Sequence, residues 1–160
     1  MLPITRNAPS APTALAVGAL RRFRDDARMT DTPPIAAAVI AHAGRVLLIR
    51  RATPEAALVW SFPAGKLELG ESAADAAARE ALEEAGVTVE PLRLLGERQH
   101  PDTGRRMVYV ACRLLSGKAH AASPREVTEV AWVRLGEIPG LVPGGLFAPV
   151  QAYLDEALQS

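Results

Sequence analysis

The glutamates of one short segment are the residues whose type and spacing most clearly predict chemistry. Glu80, Glu83 and Glu84 lie three and four positions apart, which places them on one face of an α-helix. Like charges at such spacings repel one another, and only Arg79 stands alongside to offset them. Hard divalent cations prefer oxygen ligands. The cluster therefore predicts a metal site that suits Mg²⁺, and the alternative is a solvated acidic helix face.

A helix over Glu71–Ala85 is predicted to position these carboxylates. The segment is rich in alanine, which has the highest helix propensity of all residues. Ser72 and Asp75 resemble a capping box, with Asp in place of the usual Glu or Gln. Gly86 stands where a glycine commonly ends a helix. The segment therefore predicts a helix with defined ends that holds the three glutamates on one face.

The glutamates belong to a longer pattern of fixed residues. Residues 65–87 fit G-x5-E-x7-R-E-U-x-E-E-x-G-U, in which U is an aliphatic residue. This is the Nudix box, and over about Pro34–Leu158 the chain resembles a Nudix hydrolase. Ala81 stands where Ile, Leu or Val is more frequent, and Ala64 departs from the Pro-Gly-Gly that often precedes the box. The resemblance implies an α/β fold, namely an α/β/α sandwich with a mixed β-sheet between helices.

The resemblance also implies a reaction and the residues that perform it. Nudix hydrolases cleave a nucleoside diphosphate linked to another group, with Mg²⁺ as cofactor and Mn²⁺ as a substitute. The metal ligands implied here are four carboxylates and one backbone carbonyl, namely those of Glu80, Glu83, Glu84, Glu126 and Ala64. Arg79 matches a residue that pairs with a box glutamate, here Glu71, and orients it. Catalysis of phosphoryl transfer consists mostly of positioning and of charge neutralisation.

The general base is open between two glutamates. Family members use either a box glutamate or a glutamate on a downstream loop, so Glu80 and Glu126 are the candidates for deprotonating water. Glu129 competes with Glu126, although its position favours a strand edge. Arg51 and Lys66 are the basic residues expected to reach the phosphates, and the alternative is that both are ordinary surface residues.

Three substrate classes remain open. The first is a nucleoside triphosphate, including oxidised nucleotides such as 8-oxo-dGTP, cleaved to the monophosphate and pyrophosphate. The segment Trp60–Lys66 favours it, whereas residues 142–147 lack the asparagine that can read the base in such enzymes. The second is ADP-ribose or a nucleotide sugar, for which Pro101 and Ala64 are weak indications. The third is a non-catalytic nucleotide-binding module, which is disfavoured because all box glutamates are present.

Further candidate substrate contacts lie downstream of the box. Phe147 could stack on a nucleobase, and the alternative is a core phenylalanine. His100, Arg105 and Arg106 surround the turn at residues 101–104, where they could meet a phosphate or a base. The alternative for these three is a solvated hairpin tip.

Six strands and a second helix are predicted around this helix. Apolar alternation and turn residues such as those at 42–44 and 101–104 place their ends. The strands are predicted at Ile35–Ala41, Arg45–Arg50, Ala57–Phe62, Val87–Arg98, Arg106–Leu115 and Val127–Leu135. The closing helix is predicted at Pro149–Leu158, with proline in its favoured first turn.

Composition excludes several functional classes. The chain has 160 residues, of which 49% are hydrophobic and 22% charged, as is typical of one soluble domain. Eighteen basic residues balance eighteen acidic ones, which argues against binding of a nucleic-acid polymer. Cys112 is the one cysteine, so neither an intramolecular disulfide nor a cysteine-rich zinc site can form. No apolar run approaches the roughly 20 residues of a membrane span, and we expect a cytoplasmic protein without membrane contact.

Residues 1–33 differ from the remainder and are predicted to form an N-terminal extension. Within it, Thr13–Arg28 could form one amphipathic helix, and the alternative is a flexible segment. Met29 could be the start of translation. An organelle transit peptide is disfavoured because Asp25 and Asp26 are atypical of such signals. The Nudix hydrolase domain is expected over residues 34–160. Many relatives are dimers, so a homodimer remains open.

Overall fold

The computed structural model describes residues 32–159, so the helix expected over Thr13–Arg28 and the start at Met29 lie outside the described residues. Within that range the chain forms seven strands, three α-helices and one 3-10 turn at Leu135–Glu137. The strands are β1 (Ile35–His42), β2 (Arg45–Glu55), β3 (Leu58–Ser61), β4 (Ala64–Lys66), β5 (Thr88–Gln99), β6 (Arg106–Ser116) and β7 (Val127–Val133). The helices are α1 (Ala73–Ala85), α2 (Ile138–Leu141) and α3 (Ala148–Ala157).

All seven strands belong to one mixed sheet. Its main order is β3-β2-β1-β6-β5, while β4 pairs with β1 and β7 pairs with β2. Strands β1 and β6 run parallel, and the other pairs are antiparallel. The antiparallel pairing of β4 with β1 places Gly65 opposite Ala36 and Ala64 opposite Ala37. This register brings the first residues of the box to the middle of the sheet.

Helices cover both faces of the sheet. Successive side chains of β1 point to opposite faces, so Ala36 and Ile40 join one core and Val39 joins the other. The first core is closed by the alanines of α1, and the second by α2 and α3 through residues such as Leu154. The predicted α/β/α sandwich with a mixed sheet is therefore confirmed.

The ends of α1 follow from local hydrogen bonds. The Ser72 hydroxyl accepts the backbone N–H of Asp75 at 3.1 Å, as expected for a helix N-cap. Gly86 has φ 67°, a left-handed conformation that suits glycine at a helix C-terminus. The Ser72 half of the predicted capping box and the terminal Gly86 are thus confirmed, although the helix begins at Ala73 rather than Glu71.

Several predicted boundaries differ from the structure, most of them by one residue, and two short elements were not predicted. Strand β2 continues past Arg50 to Glu55 through a register shift, which a pattern of simple alternation does not reveal. Strand β4 was not predicted, because three residues around a glycine carry no periodic signal. Strand β7 ends at Val133 rather than Leu135, since Leu135 begins the 3-10 turn that leads into α2. Helix α2 was not predicted either, because its four residues include proline and glycine.

Candidate active site

A cleft of about 480 Å³ opens beside the N-terminal part of β1. It brings together eight of the predicted site residues, namely Arg51, Ala64, Lys66, Glu80, Glu84, His100, Glu126 and Phe147. Arg79 and Glu83 do not line it. They lie on the neighbouring surface of α1, where their side chains form an ion pair at 3.2 Å.

Two glutamates of α1 are buried at the cleft. Glu80 and Glu84 are 8% and 7% exposed. Burial raises the pKa of Glu84 to about 8, although its Oε2 accepts the backbone N–H of Ala64 at 2.9 Å. Burial also raises the pKa of Glu80, against the lowering effect of Arg79. Both carboxylates therefore sit where a negative charge is disfavoured until a cation offsets it.

Gly65 permits the close approach of β4 to Glu80. A Cβ atom built on Gly65 would overlap the Glu80 carboxylate. The reason for glycine at this position is therefore space, since the backbone of Gly65 is not left-handed. The box glycine thus shapes the cradle in which the carboxylate lies.

Arg79 donates hydrogen bonds to three acidic residues of the box. Its Nε and Nη2 donate to the two oxygens of Glu71 at 2.7 and 3.0 Å. Its Nη1 donates to Glu80 at 2.7 Å and to Glu83 at 3.2 Å, while Nη2 also donates to the carbonyl of Lys66 at 3.0 Å. The hydrogen bond from Arg79 lowers the pKa of Glu71. Arg79 therefore ties the glutamate face of α1 to β4.

The two downstream glutamates occupy different environments. Glu126 lines the cleft, and the Ser123 hydroxyl donates to its Oε2 at 3.2 Å. The N–H of Ala52 in β2 donates to the Glu126 carbonyl at 2.8 Å, which fixes its backbone. Glu129 instead forms an exposed ion pair with Arg50 at 3.3 Å. Of the two, the structure places Glu126 with the buried glutamates.

The cleft also contains polar atoms that lack partners. Within the described residues, Arg51 Nε and the Ser61 hydroxyl are buried without a hydrogen bond, and both residues line the cleft. Glu55 forms ion pairs with Arg51 at 3.6 Å and with Arg105 at 3.0 Å. Buried donors of this kind normally find a partner, so they fit an acceptor-rich ligand such as a phosphate. Ser61 was missed from sequence because a single serine in a strand carries no functional pattern.

The residues of the β5–β6 turn divide between cleft and surface. His100 lines the cleft, and its Nδ1 accepts a hydrogen bond from the backbone N–H of Asp102 at 3.2 Å. Burial lowers the pKa of the His100 imidazole. Arg105 lines the cleft as well, whereas Arg106 pairs with Glu97 across the hairpin at 3.0 Å. The structure thus brings two of these three predicted tip residues to the cleft.

An aromatic cluster forms another wall of the cleft. The rings of Tyr109 and Phe147 lie 5.4 Å apart, and the Arg98 guanidinium carbon lies 5.1 Å from the centre of the Phe147 ring. A Cβ at Gly96 would come within 3.0 Å of the Phe147 ring. Arg98 and Tyr109 were missed from sequence because the third member of their cluster, Phe147, is distant in the chain. Alternation along the β5–β6 hairpin is the signal that could have indicated their shared face.

Comparison of the chain with models of known protein families identifies its family. A family model described as NUDIX domain matches residues 32–152. The chain belongs to the NUDIX family. The recognition of the Nudix box is therefore confirmed. Within residues 32–159, no helix has both the length and the apolarity that a membrane crossing requires.

Two named relatives of this NUDIX chain are similar to it over about two thirds of its length. It is 38% identical over 115 residues to a putative mutator protein, MutT4, of Mycobacterium tuberculosis, covering 68% of this chain and 42% of that protein. It is 33% identical over 107 residues to an 8-oxo-dGDP phosphatase of Homo sapiens, covering 66% of this chain and 33% of the relative. The chain thus spans less than half the length of these two curated relatives.

Solved structures support the fold. An ADP-ribose pyrophosphatase from Streptococcus suis superposes with a TM-score of 0.61 at 28% identity, covering 79% of this chain and 91% of the other. Together with the relatives above, it shows that NUDIX proteins similar to this chain include ones named for different nucleotide substrates. Substrate choice must therefore be argued from the cleft.

NUDIX hydrolases generally use a divalent metal ion, and the donor chemistry of this cleft fits one. Within the described range, no three acidic, histidine or cysteine side chains converge closely enough to hold a metal ion. Two of the candidate carboxylates instead accept hydrogen bonds, Glu80 from Arg79 and Glu84 from the backbone N–H of Ala64. The charge of Glu126 nevertheless raises the pKa of both buried glutamates. Three mutually repelling carboxylates at one cleft are suitable ligands for a hard cation.

Proposed function

We propose that this NUDIX protein hydrolyses a nucleoside triphosphate to the monophosphate and pyrophosphate, with Mg²⁺ as cofactor and Mn²⁺ as a substitute. The observation that carries the proposal is the make-up of one cleft, which has buried carboxylates on α1 and an aromatic cluster at Tyr109 and Phe147. A nucleotide has matching parts, since its phosphates require cations and its base stacks on aromatic rings. Similarity to a putative mutator protein and to an 8-oxo-dGDP phosphatase supports substrates that include oxidised guanine nucleotides.

The metal would be held by carboxylates of α1 and by groups beside them. The proposed ligands are Glu80, Glu83, Glu84, Glu126 and the backbone carbonyl of Ala64. When bound, the ion would neutralise the developing charge on the phosphate oxygens. Arg79 is the proposed positioning residue, since its contacts with Glu71, Glu80 and Glu83 set the orientation of these side chains.

Glu126 is the stronger candidate for the general base, and Glu80 is the alternative. Glu80 accepts a short charge-assisted hydrogen bond from Arg79 at 2.7 Å, which occupies one oxygen. The carboxylate of Glu126 receives the neutral Ser123 hydroxyl at 3.2 Å and lines the cleft. A general base must lie within hydrogen-bonding reach of the proton that it removes. Glu126 has more freedom to accept a proton from a water molecule in the cleft.

Arg51 and Lys66 are proposed to bind the phosphates. The buried, unpartnered Nε of Arg51 provides a donor that a phosphate oxygen would satisfy. Lys66 lines the same cleft and follows Gly65, which packs against Glu80. Phe147 and His100 are the proposed contacts for the nucleoside. The balanced net charge of +0 supports a free nucleotide rather than a nucleic-acid polymer as substrate.

Hydrolysis of ADP-ribose or a nucleotide sugar is the second candidate. The observation that favours it is the similarity to a solved ADP-ribose pyrophosphatase at 28% identity. The Pro101 turn lies beside His100 at the cleft, so a second sugar could be accommodated there. A non-catalytic binding module is less well supported because all box glutamates are present.

A substrate panel would test the proposal. Common and oxidised nucleoside triphosphates, ADP-ribose, nucleotide sugars and dinucleoside polyphosphates are incubated with Mg²⁺ or Mn²⁺, and products are identified by mass. We expect the wild-type protein to release pyrophosphate from triphosphates and Glu83→Gln to lose this turnover. The matched control Glu129→Gln should retain turnover, because the Glu129 side chain pairs with Arg50 outside the cleft. Cleavage confined to ADP-ribose or sugar nucleotides would refute the triphosphate assignment. Ligand binding without any cleavage would support the non-catalytic module.

A further inference from the structure

Arg98 presents unused hydrogen-bond donors at the aromatic cluster of the cleft. Its Nε donates to the Tyr109 hydroxyl at 3.3 Å. Within residues 32–159, neither of its terminal nitrogens has a hydrogen-bond or ion-pair partner. Arg98 lines the cleft together with Tyr109 and Phe147. An arginine whose terminal nitrogens are free in a cleft can recognise a ligand with two adjacent acceptors.

The guanidinium group is held in place before any ligand binds. Its central carbon lies 5.1 Å from the centre of the Phe147 ring and 5.8 Å from that of Tyr109. Stacking on aromatic faces is a favourable arrangement for arginine. The absence of a side chain at Gly96 leaves room for the Phe147 ring. The orientation of Arg98 is therefore fixed by the protein, which reduces the entropy lost on binding.

Sheet register gives the distance between Arg98 and the box. Arg98 pairs with Met107 of β6, Met107 with Ile35 of β1, and Ile35 with Lys66 of β4. Neighbouring strands lie about 4.8 Å apart, so three steps place the Arg98 and Lys66 backbones roughly 14 Å apart. Lys66 directly follows Gly65, which packs against Glu80. An extended nucleotide with its phosphates near Glu80 would bring its base towards Arg98.

We infer that Arg98 determines base specificity by donating two hydrogen bonds to O6 and N7 of a guanine ring. This inference rests on the proposed function, since it requires a nucleotide in the cleft. Guanine presents two adjacent acceptors on this edge, whereas adenine presents one acceptor and one donor. Cytosine presents a donor and thymine a single acceptor beside a methyl group. A phosphate is a poorer assignment for Arg98, because Arg51 and Lys66 stand nearer to the glutamates.

The wild-type protein allows a test without any substitution. Values of kcat/KM are compared for dGTP, dITP, dATP and 7-deaza-dGTP, in which carbon replaces N7. We expect similar values for dGTP and dITP, which share O6 and N7, and values lower by about ten-fold or more for the other two. 8-Oxo-dGTP carries hydrogen on N7, so it is expected to remain a substrate but with a kcat/KM lowered like that of 7-deaza-dGTP. Equal values for dGTP and 7-deaza-dGTP would overturn the inference.

Variants then test whether Arg98 is the cause. Arg98→Ala is expected to bring the ratio of dGTP to 7-deaza-dGTP close to one, and Arg98→Lys to leave an intermediate ratio. Arg93→Ala is the matched control, because Arg93 lies on the same strand and stacks on Tyr153 at 5.4 Å outside the cleft. The control should retain the wild-type ratio. A uniform loss over all four substrates in Arg98→Ala would show a merely structural role and refute the inference.

A binding measurement distinguishes failure of this inference from failure of the proposed function. If no triphosphate releases pyrophosphate, the proposed function fails, and calorimetry with dGMP and 7-deaza-dGMP in EDTA still tests Arg98. Tighter binding of dGMP by about ten-fold, lost in Arg98→Ala, would support base recognition. Equal binding of the two nucleotides, or no binding of either, would overturn it.

Discussion

The buried side of α1 carries two sets of side chains that are buried to similar extents but for opposite physical reasons. The alanine set is at most 9% exposed and closes the core on the sheet, and it consists of Ala73, Ala76, Ala77, Ala81 and Ala85. The glutamate set, Glu80 and Glu84, lies between these alanines around the helix and is almost as well buried at 8% and 7%. Burial of methyl groups stabilises the fold, whereas burial of carboxylates opposes their ionisation.

This difference separates stability from function along one helix. The alanine set is determined by shape, because small side chains let α1 approach the sheet. The glutamate set is determined by charge, because burial raises the pKa of Glu80 and Glu84. A change that disturbs the packing of the alanines should lower stability, and a change that neutralises a buried glutamate should lower activity without unfolding the protein.

The largest expected effect is the loss of activity on neutralising one of the buried glutamates. Glu84→Gln should lower kcat by about 10³-fold, or roughly 4 kcal/mol, because one anionic ligand of the proposed metal site is removed. The same change should raise the free energy of unfolding of the metal-free protein at pH 8 by a few kcal/mol, since a buried charge disappears. Steady-state kinetics and urea denaturation in EDTA would measure the two quantities.

This test is informative because kcat and the free energy of unfolding are expected to change in opposite directions. Glu129→Gln, at an exposed ion pair with Arg50, should change neither quantity appreciably. If Glu84→Gln lowered stability and activity together, the buried glutamates would be part of the structural core, and the contrast between the alanine set and the glutamate set would be wrong.

The next effect concerns the space beside Glu80. Gly65→Ala should lower kcat/KM by about 10²-fold, because the new Cβ would overlap the Glu80 carboxylate and small displacements of catalytic groups are costly. Gly140→Ala is the matched control, since a Cβ at Gly140 meets open space. Equal activity in the two variants would show that the position of Glu80 does not matter for turnover.

Much of this contrast could be predicted from sequence. The alanine-rich segment, the Ser72 cap and Gly86 indicate α1, and the spacing of the glutamates indicates their common face. The sandwich and its mixed sheet followed from the resemblance carried by residues 65–87. What these signals share is locality, since each lies within one helix or one motif.

Features formed by distant residues could not be predicted in this way. The extension of β2 to Glu55 depends on a register shift against β3. The stack of Arg98 on Phe147 joins β5 to the start of α3, and no local pattern records that contact. Five statements stay predictions. They are the site roles of the glutamates, the N-terminal extension over 1–33, the domain over 34–160, the cytoplasmic location and the homodimer.

A smaller effect is expected from enlarging one residue of the alanine set. Ala77→Leu should lower the free energy of unfolding by about 2 kcal/mol, because Ala77 is fully buried against the sheet and extra methylenes strain a packed core. Ala152→Leu on the exposed side of α3 is the matched control and should change it by less than about 0.5 kcal/mol. Urea denaturation with EDTA measures both, and an unchanged stability in Ala77→Leu would show that α1 does not pack by shape.

The smallest effect is the pH dependence of stability without metal. Burial raises the pKa of Glu84 from 4.5 to about 8, so below pH 4.5 both folded and unfolded states hold the proton. Between these values the unfolded state ionises first, and stability falls as pH rises, by at most about 1.4 kcal/mol per pH unit for one group. The raised pKa of Glu80 acts in the same direction.

Urea denaturation in EDTA at pH 6 and pH 7 would reveal this slope. Glu84→Gln should flatten it, whereas Ala77→Leu should lower stability equally at both values and leave the slope unchanged. Parallel curves for wild type and Glu84→Gln would mean that the unfolded and folded proteins hold this proton alike. The alanine set and the glutamate set of α1 would then differ in shape alone, because the buried carboxylate would carry no electrostatic penalty for a cation to relieve.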